Sequence, residues 1–307
     1  MVTAGSKLKN KLVSICILHF NRFYELINTI NKIKDSTYSN FELIVVDNNS
    51  DYFDSEKLIE LHNSITIKRL PQNIGIAAWN EAFRIASGDI ILVLDDDSFL
   101  EATAVELAVS YFEKKPKASI IAANIFNTRL NDYETKNFNS KPDFFVGCGA
   151  FIKRDIFKKI GYFNELIFIY HHELDYCSRC YNEGIDIVFL KNIIIFHNQS
   201  KIRNTWKNTD PYISSYRFYH YFISYSIILF QRFSFRYILI YFPKWILNRI
   251  IVAFRYRYFK EFFMALNFLG KNFSIILKNR NVLKEGIQKF YRYGNTPFFD
   301  HDFFGNK

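Results

Sequence analysis

The run Ile90-Ile91-Leu92-Val93-Leu94 leads straight into Asp95-Asp96-Asp97-Ser98. Five consecutive Ile, Leu and Val residues suit a strand covered on both faces, as parallel strands are. Three carboxylates then stand where that strand should end. The carboxyl ends of parallel strands are where an open α/β sheet forms its ligand crevice. Carboxylates this close repel one another unless a cation sits among them, and hard oxygen ligands suit Mg2+ or Mn2+. Taken alone, three aspartates also fit a solvated acidic turn. The neighbouring segments decide between the two.

Upstream, residues 12–18 read as a buried strand that ends at His19-Phe20-Asn21-Arg22, and Leu26, Ile27, Ile30 and Ile33 then keep helical spacing. Residues 41–46 form a second strand, ending at Asp47-Asn48-Asn49-Ser50. A short helix near 55–63, a strand at 65–70 and a helix carrying Ala77, Ala78, Trp79 and Ala82 come before the strand at 90. Strands alternating with helices predict a parallel sheet with right-handed crossovers. No GxGxxG or GxxxxGK[ST] follows any of these strands, which argues against a dinucleotide fold or a P-loop. Three strands instead end in polar residues, as a hydroxyl-rich, phosphate-bearing ligand requires.

Downstream, a helix is expected over 101–114, a strand over 118–123 and a polar loop over 129–142. Residues 145–152 read as a strand with Gly147 and Gly149 at its middle, where a ligand or another backbone is expected to come close. A short helix over 154–157 follows. A helix containing Cys177, Cys180 and Tyr181 should end at Gly184, and strands should follow at 185–190 and 193–196.

The chain has 307 residues, 49% of them hydrophobic and 19% aromatic, with 34 Phe and 20 Tyr. That is length for a large core and too little glycine or proline for extended disorder. The first residues carry lysines but no secretory apolar run, so a cytoplasmic protein is expected. Cys16 and Cys148 read as core thiols; Cys177 and Cys180 form a CxxC without the second pair that a zinc site needs. Charge divides the chain. Residues 1–200 hold 22 Lys/Arg against 25 Asp/Glu, whereas residues 201–307 hold 18 against 5. We expect a domain over 1–204 and a basic, aromatic helical extension over 205–307.

The segments SICILHFNR, ELIVVDNNS, LPQNIGIAAWNEAF, ILVLDDDS, GCGAFIKRDIFKKIGYFNE, YHHELDYCSR and IIIFHNQS follow in order across residues 12–200. Together they resemble the inverting family 2 glycosyltransferases of the GT-A fold, and more narrowly the rhamnosyltransferase-like branch that builds bacterial surface polysaccharides. The resemblance implies a mostly parallel α/β sheet flanked by helices. It also implies transfer of a sugar from a nucleotide-diphospho-sugar, dTDP-rhamnose or a UDP-sugar, to a glycan hydroxyl. Asp95 and Asp96 would lie near the ribose and the metal, Asp97 would be the firmest ligand of Mg2+ or Mn2+, and His197 would complete the metal site. Asp47 would recognise the base; His19, Phe20 and Asn21 would line base and ribose; Asn73 and Asn80 would lie near the donor. Where the family has Glu-Asp-x-Asp-Leu, this chain has His172-Glu173-Leu174-Asp175-Tyr176. Glu173 would then be the general base, with His172 as rival base or acceptor contact, and Asp175 supporting the fold or orienting Arg179. A single displacement inverts the anomeric carbon. The QxxRW element of processive synthases is absent, so one sugar per encounter is expected.

In the tail, the longest uncharged run lies between Arg217 and Arg232, 14 residues, short of the ~20 that a spanning helix needs. Amphipathic helices on the anionic inner membrane face, near a polyprenyl-linked acceptor, are the favoured reading. Packing of these helices onto the catalytic domain or a second subunit, as in a homo-oligomer, is the alternative, and nucleic acid is not expected as a partner. Two rival functions remain at this stage. One is a decayed sugar-nucleotide-binding module on the membrane; the other is a nucleotidyltransferase, which would need a glycine-rich loop that the first strand lacks.

Overall fold

A computed structural model describes residues 11–198 and 214–293. The expected domain boundary at 204 lies outside the described residues. The described residues fall into two compact units, one within Met1–Phe163 and Glu183–Lys201, the other within Asn164–Asn182 and Ile202–Lys307. Residues 164–182 thus group with the tail rather than with the sheet.

The first unit is an α/β layer structure. Strands β1 (Val13–His19), β2 (Phe41–Asp47), β3 (Thr66–Arg69) and β4 (Ile90–Asp95) alternate with helices α1 (Phe23–Ile33), α2 (Ser55–Leu61) and α3 (Ala78–Ile85). The order β3-β2-β1-β4 is parallel throughout, as the sequence predicts. β1 and β4 bury nearly every side chain, which is why their sequences do not alternate. Their apolar residues pack against Leu26 and Ile30 of α1, and against Val105 and Ala108 of α4 (Ala104–Lys114). One close approach fixes the entry to β4. A Cβ on Gly88 would lie 2.6–2.8 Å from Ser14 Oγ, Ser14 N and Leu12 O.

Beyond β4 the sheet is mixed. It continues as β8 (Ala150–Lys153), β6 (Ile120–Asn127), β9 (Ile187–His197) and β5 (Ser98–Leu100), with β7 (Asp132–Tyr133) paired to β6. β8 runs antiparallel to both β4 and β6, and β5 antiparallel to β9. β6 and β9 pair in parallel, so the sheet is mostly parallel as expected. β8, β7 and β5 are antiparallel, and β8 returns without a crossover helix between it and β6. The strand expected over 145–152 is confined to Ala150–Lys153. The two expected at 185–190 and 193–196 are one strand, β9, whose register against β6 shifts between Ala123 and Asn124. The polar stretch 129–142 contains the β6–β7 hairpin. At Gly149 the close approach is by a side chain: a Cβ there would fall 2.3 Å from Ile125 Cδ1. Helix α5 (Asp155–Ile160) follows β8.

The second unit is helical: α6 (His172–Asn182), α7 (Ser215–Arg232), α8 (Phe235–Tyr256), α9 (Phe259–Lys278) and α10 (Glu285–Tyr293). Ser214 caps α7, its hydroxyl accepting from Arg217 N at 3.1 Å. Aromatic rings hold the bundle together. Trp245 of α8 is fully buried and stacks on Tyr225 of α7 with ring centroids 4.0 Å apart, and Phe222 of α7 packs on Phe262 of α9. Helix α6 is tied to the tail by buried charge: Asp175 accepts from Arg232 Nε at 2.7 Å and from Arg179 Nε at 3.0 Å. Lys284 N donates to Asn182 Oδ1 at 2.7 Å.

Candidate active site

In the first unit, parallel pairing brings the polar strand ends to one edge of the sheet. Leu18 pairs with Asp95 and His19 with Asp47, so the chain ends of β1, β2 and β4 are level. Asp96 and Asp97, just past β4, are buried. Such burial is unfavourable for carboxylates unless cations or hydrogen-bond donors meet them.

Asp96 is met by the end of β1. Its Oδ2 accepts from His19 Nδ1 at 2.8 Å and from Phe20 N at 3.2 Å, and its Oδ1 lies 2.5 Å from Arg22 Nη2. Arg22 also pairs with Asp97 Oδ2. One guanidinium thus spans two successive carboxylates, and Asp96, Asp97 and Asp95 together hold its pKa above the ordinary arginine value despite its burial. Arg22 was not among the site residues expected from sequence. The three adjacent acids require a cation, and the parallel β1–β4 pairing is what delivers this one.

Asp97 and His197 form the other half. His197 ends β9, directly opposite Ser98 in the β5–β9 register. Its Nε2 lies 3.5 Å from Asp97 Oδ1, and its Nδ1 lies 2.8 Å from Glu134 Oε1. Glu134 follows the β6–β7 hairpin, inside the stretch read as a plain loop, and also accepts from Asn127 Nδ2 at 2.7 Å. Burial opposes charge on His197, but its bonds to Asp97 and Glu134 outweigh that and raise the imidazole to about 10, so a cation bound at Nε2 would have to displace its proton. Asp95 is partly exposed; burial, then repulsion from Asp97, pushes its carboxyl up to about 6.

A divalent cation fits here on donor chemistry. Ligand atoms of Asp95, Cys148 and His197 lie within 4.8 Å of one another, and Asp97 borders His197. Two carboxylates and an imidazole suit Mg2+ or Mn2+. Cys148 is buried, and burial raises its thiol well above the usual range, so it stays protonated, a core thiol as expected. The imidazole held by a carboxylate on its other nitrogen is the arrangement that orients histidine ligands.

The remaining residues expected at the donor are more committed than the sequence suggests. Asp47 is buried, accepts from Ser50 N at 3.1 Å and pairs with Arg69 Nε at 3.1 Å. Asn21, at φ 54°, exchanges hydrogen bonds with Asp51: 3.0 Å to Asp51 Oδ2 and 2.8 Å from Asp51 N. Asn73 accepts from Asn48 Nδ2 at 2.9 Å and from Gly75 N at 2.9 Å, fixing the turn before α3. Asn80 is fully buried, its amide donating to Phe163 O and accepting from Phe163 N, both at 3.0 Å. His19 is likewise buried against Asp96, whereas Phe20 is exposed.

In the second unit, Tyr170 and His171 both have positive φ, 67° and 60°, immediately before α6. Two successive side-chain-bearing residues there are strained, a feature concentrated at functional sites. Glu173 lies in the first turn of α6, its Oε2 3.1 Å from His172 Nδ1. Burial depresses His172 to about 3, with Asp175 partly opposing this, so its imidazole is a poor proton acceptor at neutral pH. Asp175 is fully buried between Arg179 and Arg232, a supporting position.

Residues 14–161 match the family model for glycosyl transferase family 2. Over this span, just under half of the chain, the protein is similar to family 2 glycosyltransferases. The matched span covers β1 to α5 and includes all three aspartates. The chain is 29% identical over 153 residues to the UDP-Glc:alpha-D-GlcNAc-diphosphoundecaprenol beta-1,3-glucosyltransferase of Escherichia coli. That match covers 49% of this chain and 56% of the relative. It is 23% identical over 227 residues to the glucosyl-dolichyl phosphate glucuronosyltransferase of Haloferax volcanii, covering 62% of this chain and 70% of the relative. Its fold resembles the mannosyltransferase of Pyrobaculum calidifontis solved with GDP-Man and Mn2+. There the TM-score is 0.56 at 16% identity, over 85% of this chain and 75% of that one. That fold is GT-A.

Proposed function

We propose that the chain is an inverting, metal-dependent, non-processive glycosyltransferase that moves a sugar from a nucleotide-diphospho-sugar to a hydroxyl of a lipid-linked glycan. The observation that carries this reading is the clustering of Asp95 and His197 at the ends of β4 and β9, with Asp97 against His197 at 3.5 Å. Asp95, Asp97 and His197 would hold Mg2+ or Mn2+, which when bound neutralises charge on the departing nucleoside diphosphate. Arg22 pairs with Asp96 and Asp97 and holds both side chains in place. Asp96 and His19 act as the brace under this edge, and the loops carrying Phe20, Asn21, Asp47 and Asn73 would border the nucleoside.

Glu173 would accept the proton of the acceptor hydroxyl as the bond to the anomeric carbon forms. The low basicity of buried His172 favours Glu173 for this role. Two Escherichia coli relatives are named for transfer from UDP-Glc to a diphosphoundecaprenol-linked sugar, which favours a UDP-hexose over dTDP-rhamnose and a polyprenyl-linked acceptor. Work on such an acceptor would take place at the inner face of the cell membrane.

The test is transfer by Glu173→Gln with UDP-glucose, Mn2+ and a polyprenyl-diphosphate-linked sugar. Turnover should fall by about 10²–10⁴-fold while donor binding is unchanged. Full turnover in the variant would remove Glu173 from the chemistry.

A further inference from the structure

Helix α8 buries Ile238, Val252 and Ala253 with Tyr237, Tyr241 and Trp245, and takes Asn248 and Arg249 inside with them. The Arg249 guanidinium lies over the Trp245 ring at 3.9 Å, a cation–π contact that lets a buried charge sit among aromatic rings. Its exposed side nevertheless carries a run of large apolar residues, Phe235, Leu239, Leu247, Ile251 and Phe254, with Leu239 exposed at 73% and Phe254 at 68%. These residues recur at steps of three and four, and exposed Pro243 fills the gap between Leu239 and Leu247, so they line one stripe along the helix. A contiguous exposed stripe of Leu, Ile and Phe on an otherwise well-packed helix marks an interaction surface, and basic residues beside it suit a membrane interface.

We infer that the outward face of α8 is a lipid-docking surface that lies flat in the headgroup layer of an anionic membrane. Charge selects the partner. Residues 214–293 hold 14 Lys/Arg against two Glu, so a second copy would bring like charge to like, whereas an anionic lipid surface is complementary. The exposed Arg236, Lys244 and Arg255 flank the stripe where lipid phosphates would meet them.

Among the described residues α8 is also the one helix long and apolar enough to cross a membrane. Its 22 residues would span about 33 Å. Lys244 decides against crossing. It is exposed near the middle of the helix, and at the bilayer centre it would cost about 2.5–3.5 kcal/mol on insertion scales. Lying flat keeps it at headgroup level. The surface gives the proposed lipid-linked acceptor a physical meeting place and rests on that reading for its purpose. Its own test uses no sugar nucleotide, so the two fail separately.

The experiment is flotation of the full chain with vesicles of phosphatidylglycerol and phosphatidylcholine, compared with phosphatidylcholine alone. Wild type should float with the anionic vesicles, stay behind with the neutral ones, and be extracted by alkaline carbonate. The triple variant Leu239→Glu, Leu247→Glu, Ile251→Glu should lose at least tenfold in partitioning, with an unchanged melting temperature because all three side chains are exposed. Lys244→Glu with Arg255→Glu should weaken the preference for anionic vesicles. Failure of wild type to float, or equal flotation of the triple variant, overturns the proposal. So does resistance to carbonate, which would mean that α8 spans. So does a vesicle-free dimer that the triple variant dissociates, which would mean that a second copy covers the face.

Discussion

At Asp97 the two halves of the acidic edge meet, Arg22 on one carboxylate oxygen and His197 near the other. Glu134 is the residue that aims His197, so Glu134→Gln should weaken Mn2+ binding about 10–100-fold. Mn2+ titration by electron paramagnetic resonance measures this without any donor. Gly88→Ala should destabilise the fold by about 1–3 kcal/mol, read in a urea melt, because backbone atoms of Ser14 and Leu12 occupy the Cβ position. The three aspartates were legible because three acids at the end of an apolar run announce themselves. Arg22 was not: its partner is 75 residues away, and only the strand order places them side by side. Glu134 was hidden because a polar stretch has no periodicity to reveal a two-residue hairpin strand. Asn80 shows a structural commitment that sequence could not reveal. A buried amide that clamps the Phe163 backbone looks, in sequence, the same as one reaching for a ligand.

Among the elements, β1 to β4 and their helices were readable because both cues, apolar runs and helical spacing, are strong there. β8 and β9 were harder. Gly149 makes way for Ile125 and shortens the apparent strand, while a register shift inside β9 looks in sequence like a break between two strands. The helices of the tail were legible as helices, but their faces were not, because aromatic residues occur on all sides of α8. Trp245 marks its inner face. Trp245→Ala removes a buried ring stacked on Tyr225 and supporting Arg249, and should cost about 3–5 kcal/mol of unfolding free energy. Differential scanning calorimetry measures the loss, and Leu247→Ala on the exposed face should leave the melting temperature nearly unchanged.

On the scale of the whole molecule, the chain leaves the sheet unit at 164, builds α6 into the helical unit, and returns at 183 for β9. The charge contrast between residues 1–200 and 201–307 did not reveal this excursion, because α6 is held by one buried carboxylate rather than by bulk charge. Asp175 works against its own burial, yet Arg232 and Arg179 keep its carboxyl below the ordinary range. A depressed folded pKa stabilises above the unfolded value of about 3.9 and loses that stabilisation as pH falls through the folded value. Asp175→Asn should therefore cost about 3–5 kcal/mol at neutral pH, with the gap to wild type constant above about pH 5 and closing in stronger acid. Urea melts from pH 3 to 7 follow it. The central claim, a sugar-nucleotide and metal site at the Asp95-Asp96-Asp97 edge, is tested by thermal denaturation with UDP-glucose and Mn2+, wild type against Asp97→Asn. Wild type should gain about 2.7 kcal/mol at a donor concentration 100 times Kd, only when Mn2+ is present, and Asp97→Asn should gain almost nothing. An equal gain in Asp97→Asn, or no gain in wild type with any sugar nucleotide of a UDP, dTDP and GDP panel, would contradict it.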